Sequence, residues 1–190
     1  MAALAIALAG CGLFDTRDPE PPGQNIPVVG RISPTHVVYN IHIAFEVGSQ
    51  GISVYDQQIS TDYAFEMDPN DVNELGRNPF VDWNKDKEKA NMTQVFQRYG
   101  AIHPMTLNLH APNVDSLEAD IPVDPTADAE VYFDDVPYII VAEQDTSFAG
   151  TADVYFRDKG GTWTMYKWVD SREAAGTQKT FGLMKASVAP

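Results

Sequence analysis

The sequence predicts an α+β domain in which amino-terminal helices pack on a sheet of long antiparallel strands. Three observations predict it. Apolar residues recur at helical spacing in the first third of the folded part, at Val37, Val38, Ile41, Ala44 and Phe45. Beyond about residue 105 the pattern switches to alternation and to β-rich runs separated by turns. No glycine-rich phosphate loop follows any strand, so a parallel nucleotide-binding sheet is not indicated, and helices followed by a strand meander is the α+β order.

Ser33-Pro34 predicts a helix start, with a capping hydroxyl and proline at the first helical position, and the helix should stop near Gly48. A short helix follows from about Ile52 to Ile59. Tyr63, Phe65 and Met67 alternate with Ala64 and Glu66, which predicts a half-buried strand. Asp68-Pro69-Asn70-Asp71 is a turn cluster, and the stretch to Phe80 is expected to be an irregular loop. Trp83 then introduces a charged helix, Asn84 to Arg98, whose apolar positions are Ala90, Met92, Val95 and Phe96.

The remainder predicts sheet. Met105, Leu107 and Leu109 alternate with Thr106, Asn108 and His110. An acidic, proline-bearing connection runs from Pro112 to Asp128. Three β-rich runs follow: Glu130 to Thr146, with a bend or break near Asp134-Asp135 and Pro137, then Ala149 to Arg157 and Thr162 to Asp170. Lys159-Gly160-Gly161 is the hairpin turn between the last two.

Several segments together resemble the nuclear-transport-factor-2-like group, which includes ketosteroid isomerase and small polyketide cyclases. They are Ser33-Pro34 through Phe45, Tyr55, Asp62-Tyr63-Ala64-Phe65, Trp83 with its charged helix, and Gly161-Thr162-Trp163 through Trp168-Val169-Asp170. Thr180-Phe181-Gly182-Leu183-Met184-Lys185 is similar to a Trp-Gly-x-x-Lys tail of lipoprotein members, with Phe in the Trp position. The resemblance covers roughly residues 33 to 186. It implies a cone-like barrel, a curved sheet wrapped round helices with an apolar pocket at one end. Some relatives do chemistry there and others only bind or dimerise, so fold does not choose the function.

The amino terminus carries a different message. Residues 2 to 10 form an uncharged apolar run too short to cross a bilayer, which takes about 20 residues, and its length suits a signal-peptide core. It ends in Leu8-Ala9-Gly10-Cys11, which resembles the lipobox of bacterial lipoproteins. The resemblance implies cleavage before Cys11, lipid on that cysteine and membrane attachment through it. Met1 leads straight into alanines, without the basic start usual in such signals. Residues 11–32 contain Asp15, Asp18, Pro19, Glu20, Pro21 and Pro22 and predict a solvated tether. The expected organisation is therefore a signal peptide over 1–10, a lipidated tether over 11–32 and one domain over 33–190. Gly12 after the cysteine favours an outer-membrane address facing the periplasm.

The formal charge of −14, from 27 acidic and 13 basic residues, argues against nucleic acid, because phosphate neutralisation needs clustered cations. Cys11 is the only cysteine, which excludes intrachain disulfides and cysteine-based zinc sites. No metal or cofactor is expected. Asp68, Asn70, Asp71, Asn73 and Glu74 break calcium-loop spacing because Val72 takes a ligand position, and they read as a turn with local capping. Asp134-Asp135 reads as a solvated turn or bulge.

Two functional readings follow. The first is a non-enzymatic envelope module that binds a partner protein, a second copy or a small apolar ligand through Trp163, Met165, Tyr166 and Trp168. Alternation puts Trp163 and Met165 on one sheet face and Tyr166 and Trp168 on the other, so both faces should carry large apolar groups. The second is a small enzyme of the isomerase, cyclase or dehydratase kind, with His42 or a pocket Asp as base and a Tyr such as Tyr55 or Tyr63 donating to an oxyanion.

Overall fold

A computed structural model describes residues 26–101, 103–110, 129–142, 146–173 and 178–189. Cys11, the signal-like run and the acidic connection over 112–128 lie outside the described residues.

Helix α1, Pro34–Glu46, starts where the capping signal places it: Ser33 Oγ accepts from the His36 backbone N–H, and proline opens the helix. A 3-10 turn, Gly48–Gly51, leads into α2, Ile52–Gln58. Gly51 is required there, because a Cβ would lie 1.8 Å from the Ala44 carbonyl oxygen. Strand β1, Ile59–Glu66, follows.

The expected loop after β1 is in fact a short helix, α3, Pro69–Leu75. Its ends carry the signals of a helix although its middle does not. The Asp68 carboxylate caps the Asn70 and Asp71 N–H groups, Pro69 opens the first turn, and Gly76 closes it with φ of 66°. With Val72 and Leu75 as its large apolar residues, no periodicity announced it. Helix α4, Lys85–Tyr99, is capped by Asn84.

The strands are β2, Thr106–Leu109; β3, Glu130–Val141; β4, Ser147–Asp158; and β5, Trp163–Ser171. A last helix, α5, Phe181–Ala186, is capped by Thr180. The five strands form one sheet in the order β1-β5-β4-β3-β2.

The α+β architecture with helices packed on a sheet is as expected, and two details differ. The chain returns from β1 through helices before building the rest of the sheet, so β1 pairs with β5 in parallel and the sheet is mixed. The sheet also stays open rather than closing into a barrel, with β1 and β2 as its edges. The four-residue β2 is engaged by α1, where the Leu109 N–H donates to His42 Nε2 at 3.3 Å.

Residues 26–32, the end of the expected tether, are docked on the domain. Asn40 bonds both the N–H and the carbonyl of Val29 at 2.9 Å, and the Trp163 N–H donates to the Arg31 carbonyl at 2.9 Å. The folded body therefore reaches back at least to Ile26.

Two bulges set which way the strands face. In β3 the pairing slips between Phe133 and Val136, and Asp135 takes a φ of 49° there, matching the bend expected at Asp134-Asp135. In β5 the register steps from Lys167 opposite Tyr155 to Met165 opposite Phe156, leaving Tyr166 as the extra residue. That second bulge reverses alternation and decides the fate of Trp168.

Candidate functional site

The inner sheet face and the helices enclose one apolar core that includes Phe45, Phe65, Phe96, Phe156, Trp163, Met165, Trp168 and Phe181. Because of the bulge, Trp168 joins Trp163 and Met165 on the inner face, and the three are 1%, 0% and 1% exposed. The expectation that Trp168 would share the opposite face with Tyr166 is thus corrected, and these three side chains are core rather than contact surface. Tyr166 alone of the four faces outward.

Helix α5 packs against α4 and the sheet and contributes to the core. Phe181 packs edge-on to Phe65 at 5.9 Å and to Trp168 at 5.4 Å, and lies 6.3 Å from Phe45. Lys185 enters the core completely, at 0% exposure, and its Nζ meets Glu88 Oε2 at 2.5 Å, with Glu88 equally buried. Glu88 is held independently by two further donors: the Tyr55 hydroxyl to Oε1 at 2.7 Å and Trp83 Nε1 to Oε2 at 2.6 Å. Aromatic rings surround the ammonium, with the Phe65 centroid 3.4 Å away and those of Phe80, Trp83 and Phe181 at 5.3 Å. Burial pushes the Lys185 amine down from its ordinary value, against the pull of Glu88. Burial, followed by the Glu88 charge, raises the hydroxyls of both Tyr55 and Tyr63 well above theirs.

A second polar chain fixes the start of α5. Asp170, 1% exposed, accepts from the Tyr138 hydroxyl and from the Gly182 N–H, each at 2.6 Å. Tyr138 accepts in turn from the Phe181 N–H at 2.8 Å. Burial raises the Asp170 carboxyl to about 6, opposed by these hydrogen bonds. Thr180 donates to buried Asp71, whose other oxygen takes the Arg172 guanidinium, and Arg172 also reaches Glu74. The acidic cluster at 68–74 is thereby spent on capping α3 and holding Arg172, and among the described residues no group of side chains suited to a metal ion occurs.

His42, half-buried, is used at the β2 edge, whereas Tyr55 and Tyr63 are sealed in the core around Glu88. His42 is thus held apart from the two tyrosines, and Lys185 of α5 reaches into the region around them. Glu88 gave no sign of its role in the sequence, because it lies in a helix whose other charges face water. Asp170 and Lys185 belonged to motifs recognised there, but nothing in one dimension showed that their charged ends turn inward.

The outer face of the sheet is not overlaid by any described helix. Across it run Tyr132, Tyr155 and Tyr166 on three adjacent strands. Tyr132 stacks on Tyr155 with centroids 5.5 Å apart and 19° between planes, and Tyr155 meets Tyr166 at 5.9 Å. Arg157 lies 4.2 Å over the Tyr166 ring and pairs with Asp62 and Glu130, each at 2.7 Å. The Ser60 hydroxyl first, and Arg157 next, hold the Asp62 carboxyl down at about 2. Lys167 pairs with Glu66 at 2.7 Å beside Tyr155. Tyr132 remains 61% exposed and Val141 40%.

Clefts border this body, two of them near the ends of α1 and α2. One of ≈ 580 Å³ lies between the end of α1 and the segment after α4, edged by Glu46, Gly48, Gly100 and His103. The other, ≈ 390 Å³, is edged by Arg31, Asp56, Lys85 and Lys159. Arg31 and Lys85 bond the carbonyls of Gln57, Asp56 and Ile59 at the end of α2, so helix capping accounts for both cations.

No protein-family model matches the chain, and no curated protein matches it. Among solved structures it is similar to a chain described as "Structure of Bdellovibrio bacteriovorus Bd1075", with a TM-score of 0.49 and 11% identity over 73% of this chain and 39% of that one. The match spans about two-fifths of that chain's length, and a likeness so slight carries no argument about function.

Proposed function

We propose that this protein is a membrane-tethered envelope lipoprotein whose domain is a non-enzymatic binding module, and that the outer face of its sheet is the contact surface for a second copy of the chain. The tether reading rests on Leu8-Ala9-Gly10-Cys11 and the proline-rich acidic segment after it. Among the described residues no helix is long and apolar enough to cross a membrane.

The observation that carries the binding reading is the tyrosine ladder on a sheet face that no described helix overlays. The inner face packs on the chain's own helices, α5 among them, whereas Tyr132, Tyr155 and Tyr166 form a continuous aromatic surface on the outside. At about 3.3 Å per residue and about 4.8 Å between strands, the five strands present roughly 700 Å². A standard interface takes about 800 Å² from each partner, so one sheet face is of the right size. The face carries charges of both signs, with Arg157 and Lys167 set among Asp62, Glu66 and Glu130. In a two-fold contact each copy can offer its cations to the other's carboxylates.

Sedimentation equilibrium tests the contact. The wild-type domain should dimerise in a concentration-dependent manner, and Tyr132→Glu, which places a charge at the exposed end of the ladder, should shift it to monomer. A wild type that remains monomeric at high concentration removes the proposal. Mass spectrometry of the mature amino terminus tests the anchor, with diacylglycerol on Cys11 expected and an unmodified Cys11 contradicting it.

A further inference from the structure

The placement of Lys185 against Glu88 has a chemical consequence independent of the outer face. Nζ and the carboxylate meet with no solvent exposure on either residue. Ordinary ion pairs are found where water can still share the charge. Here the pair is enclosed by Phe65, Phe80, Trp83 and Phe181, and in so apolar a setting the two charges carry a large desolvation cost.

Three features of the site act in one direction. Lys185 is fixed at the correct atom, since Asn91 Nδ2 holds its backbone carbonyl at 3.0 Å and α5 is docked by Thr180 and Asp170. Glu88 is oriented by donors on both oxygens besides Lys185: Tyr55 on Oε1, Trp83 on Oε2. Those donors are aimed where negative charge would develop if Cδ became tetrahedral. Holding both reacting groups in one fixed geometry replaces a bimolecular encounter by an intramolecular one. Burial also lowers the proton affinity of the amine, so that its lone pair is more often free.

We propose that Lys185 and Glu88 condense to an intramolecular isopeptide bond that covalently closes α5 onto α4. One proton passes from the ammonium to Glu88, leaving an amine and a carboxylic acid. The amine lone pair attacks Cδ, the Nζ–Cδ bond forms and the Cδ–Oε2 bond breaks. A second proton from nitrogen leaves with Oε2 as water. Tyr55 stabilises the charge on Oε1 and Trp83 assists departure of Oε2, and no external reagent is consumed. The product replaces a buried ion pair by a neutral amide, which relieves the desolvation of two charges.

The test is the mass of the folded full-length chain after denaturation, followed by digestion and peptide sequencing. The expected result is a deficit of one water and a branched peptide joining the α4 segment around Glu88 to the α5 segment around Lys185. Lys185→Met should restore the full mass and abolish the branched peptide. Should that variant fail to fold, the wild-type spectrum still decides. A wild-type chain of full mass, or a water deficit that maps to peptides other than these two, overturns the proposal.

Discussion

At the scale of single residues, the core is organised by charges that turn inward at Glu88, Lys185 and Asp170. Asp170 makes a pH prediction whose sign follows from its environment. Its folded-state carboxyl stands at about 6, above the ordinary aspartate value, so the folded protein holds that proton more tightly than the unfolded chain. The resulting stability is complete below the unfolded value of about 3.9 and is lost as pH rises through about 6, worth about 3 kcal/mol. Denaturant unfolding of wild type beside Asp170→Asn should show the wild type losing ground to the variant between those pH values, and parallel curves would contradict it. Lys185→Met should cost about 3–5 kcal/mol, because it removes the link between α5 and α4 and leaves Glu88 buried without a partner for its charge. A Lys185→Met protein as stable as wild type at neutral pH would contradict the assignment.

At the scale of elements, α5 is the piece that packs against α4 and the sheet to complete the core. Removing the chain from residue 178 onward should expose Phe45, Phe65 and Trp168, raise the binding of a hydrophobic dye and lower the melting temperature. An unchanged melting curve would show that α5 is decorative. Gly51→Ala is expected to destabilise by about 3 kcal/mol through overpacking, since its Cβ meets the Ala44 carbonyl and that backbone has nowhere to go. Most elements were legible in the sequence because they are made by local signals. Ser33-Pro34 and Asn84 announce helix starts through capping, and Lys159-Gly160-Gly161 announces a turn through left-handed backbone at both glycines. Helix α3 was not legible because its middle lacks an apolar stripe. The face of Trp168 was not legible because a bulge at Tyr166 arises from pairing with β4, and alternation within β5 carries no trace of it. The same holds for α5, whose six residues are too few for a period and whose fixing groups come from β3, β5, α3 and α4.

At the scale of the whole molecule, the chain has two surfaces of opposite character. The inner one is used up by its own helices, and the outer one carries a tyrosine ladder among charges of both signs. The full chain is strongly acidic at −14, so two copies repel one another at long range. Added salt screens that repulsion over about 10 Å at 0.1 M, while the contact itself is short-ranged and largely aromatic. Dimerisation should therefore strengthen from low to moderate ionic strength, and a contact that weakens steadily with salt would belong to an ionic interface elsewhere. Of this site, the sequence supplied Tyr166 and the need for a covered aromatic face. It did not supply Tyr132 and Tyr155 as neighbours, because their stacking exists only through the β3–β4 register.

Hydroxyl-radical footprinting of the full-length protein over a range of concentrations tests the outer face most directly. Tyr132, Tyr155 and Tyr166 should become protected together as concentration rises, while Leu75 and Val81, exposed away from the sheet face, keep a constant rate of oxidation. Tyrosines that oxidise at the same rate throughout the range would contradict the account.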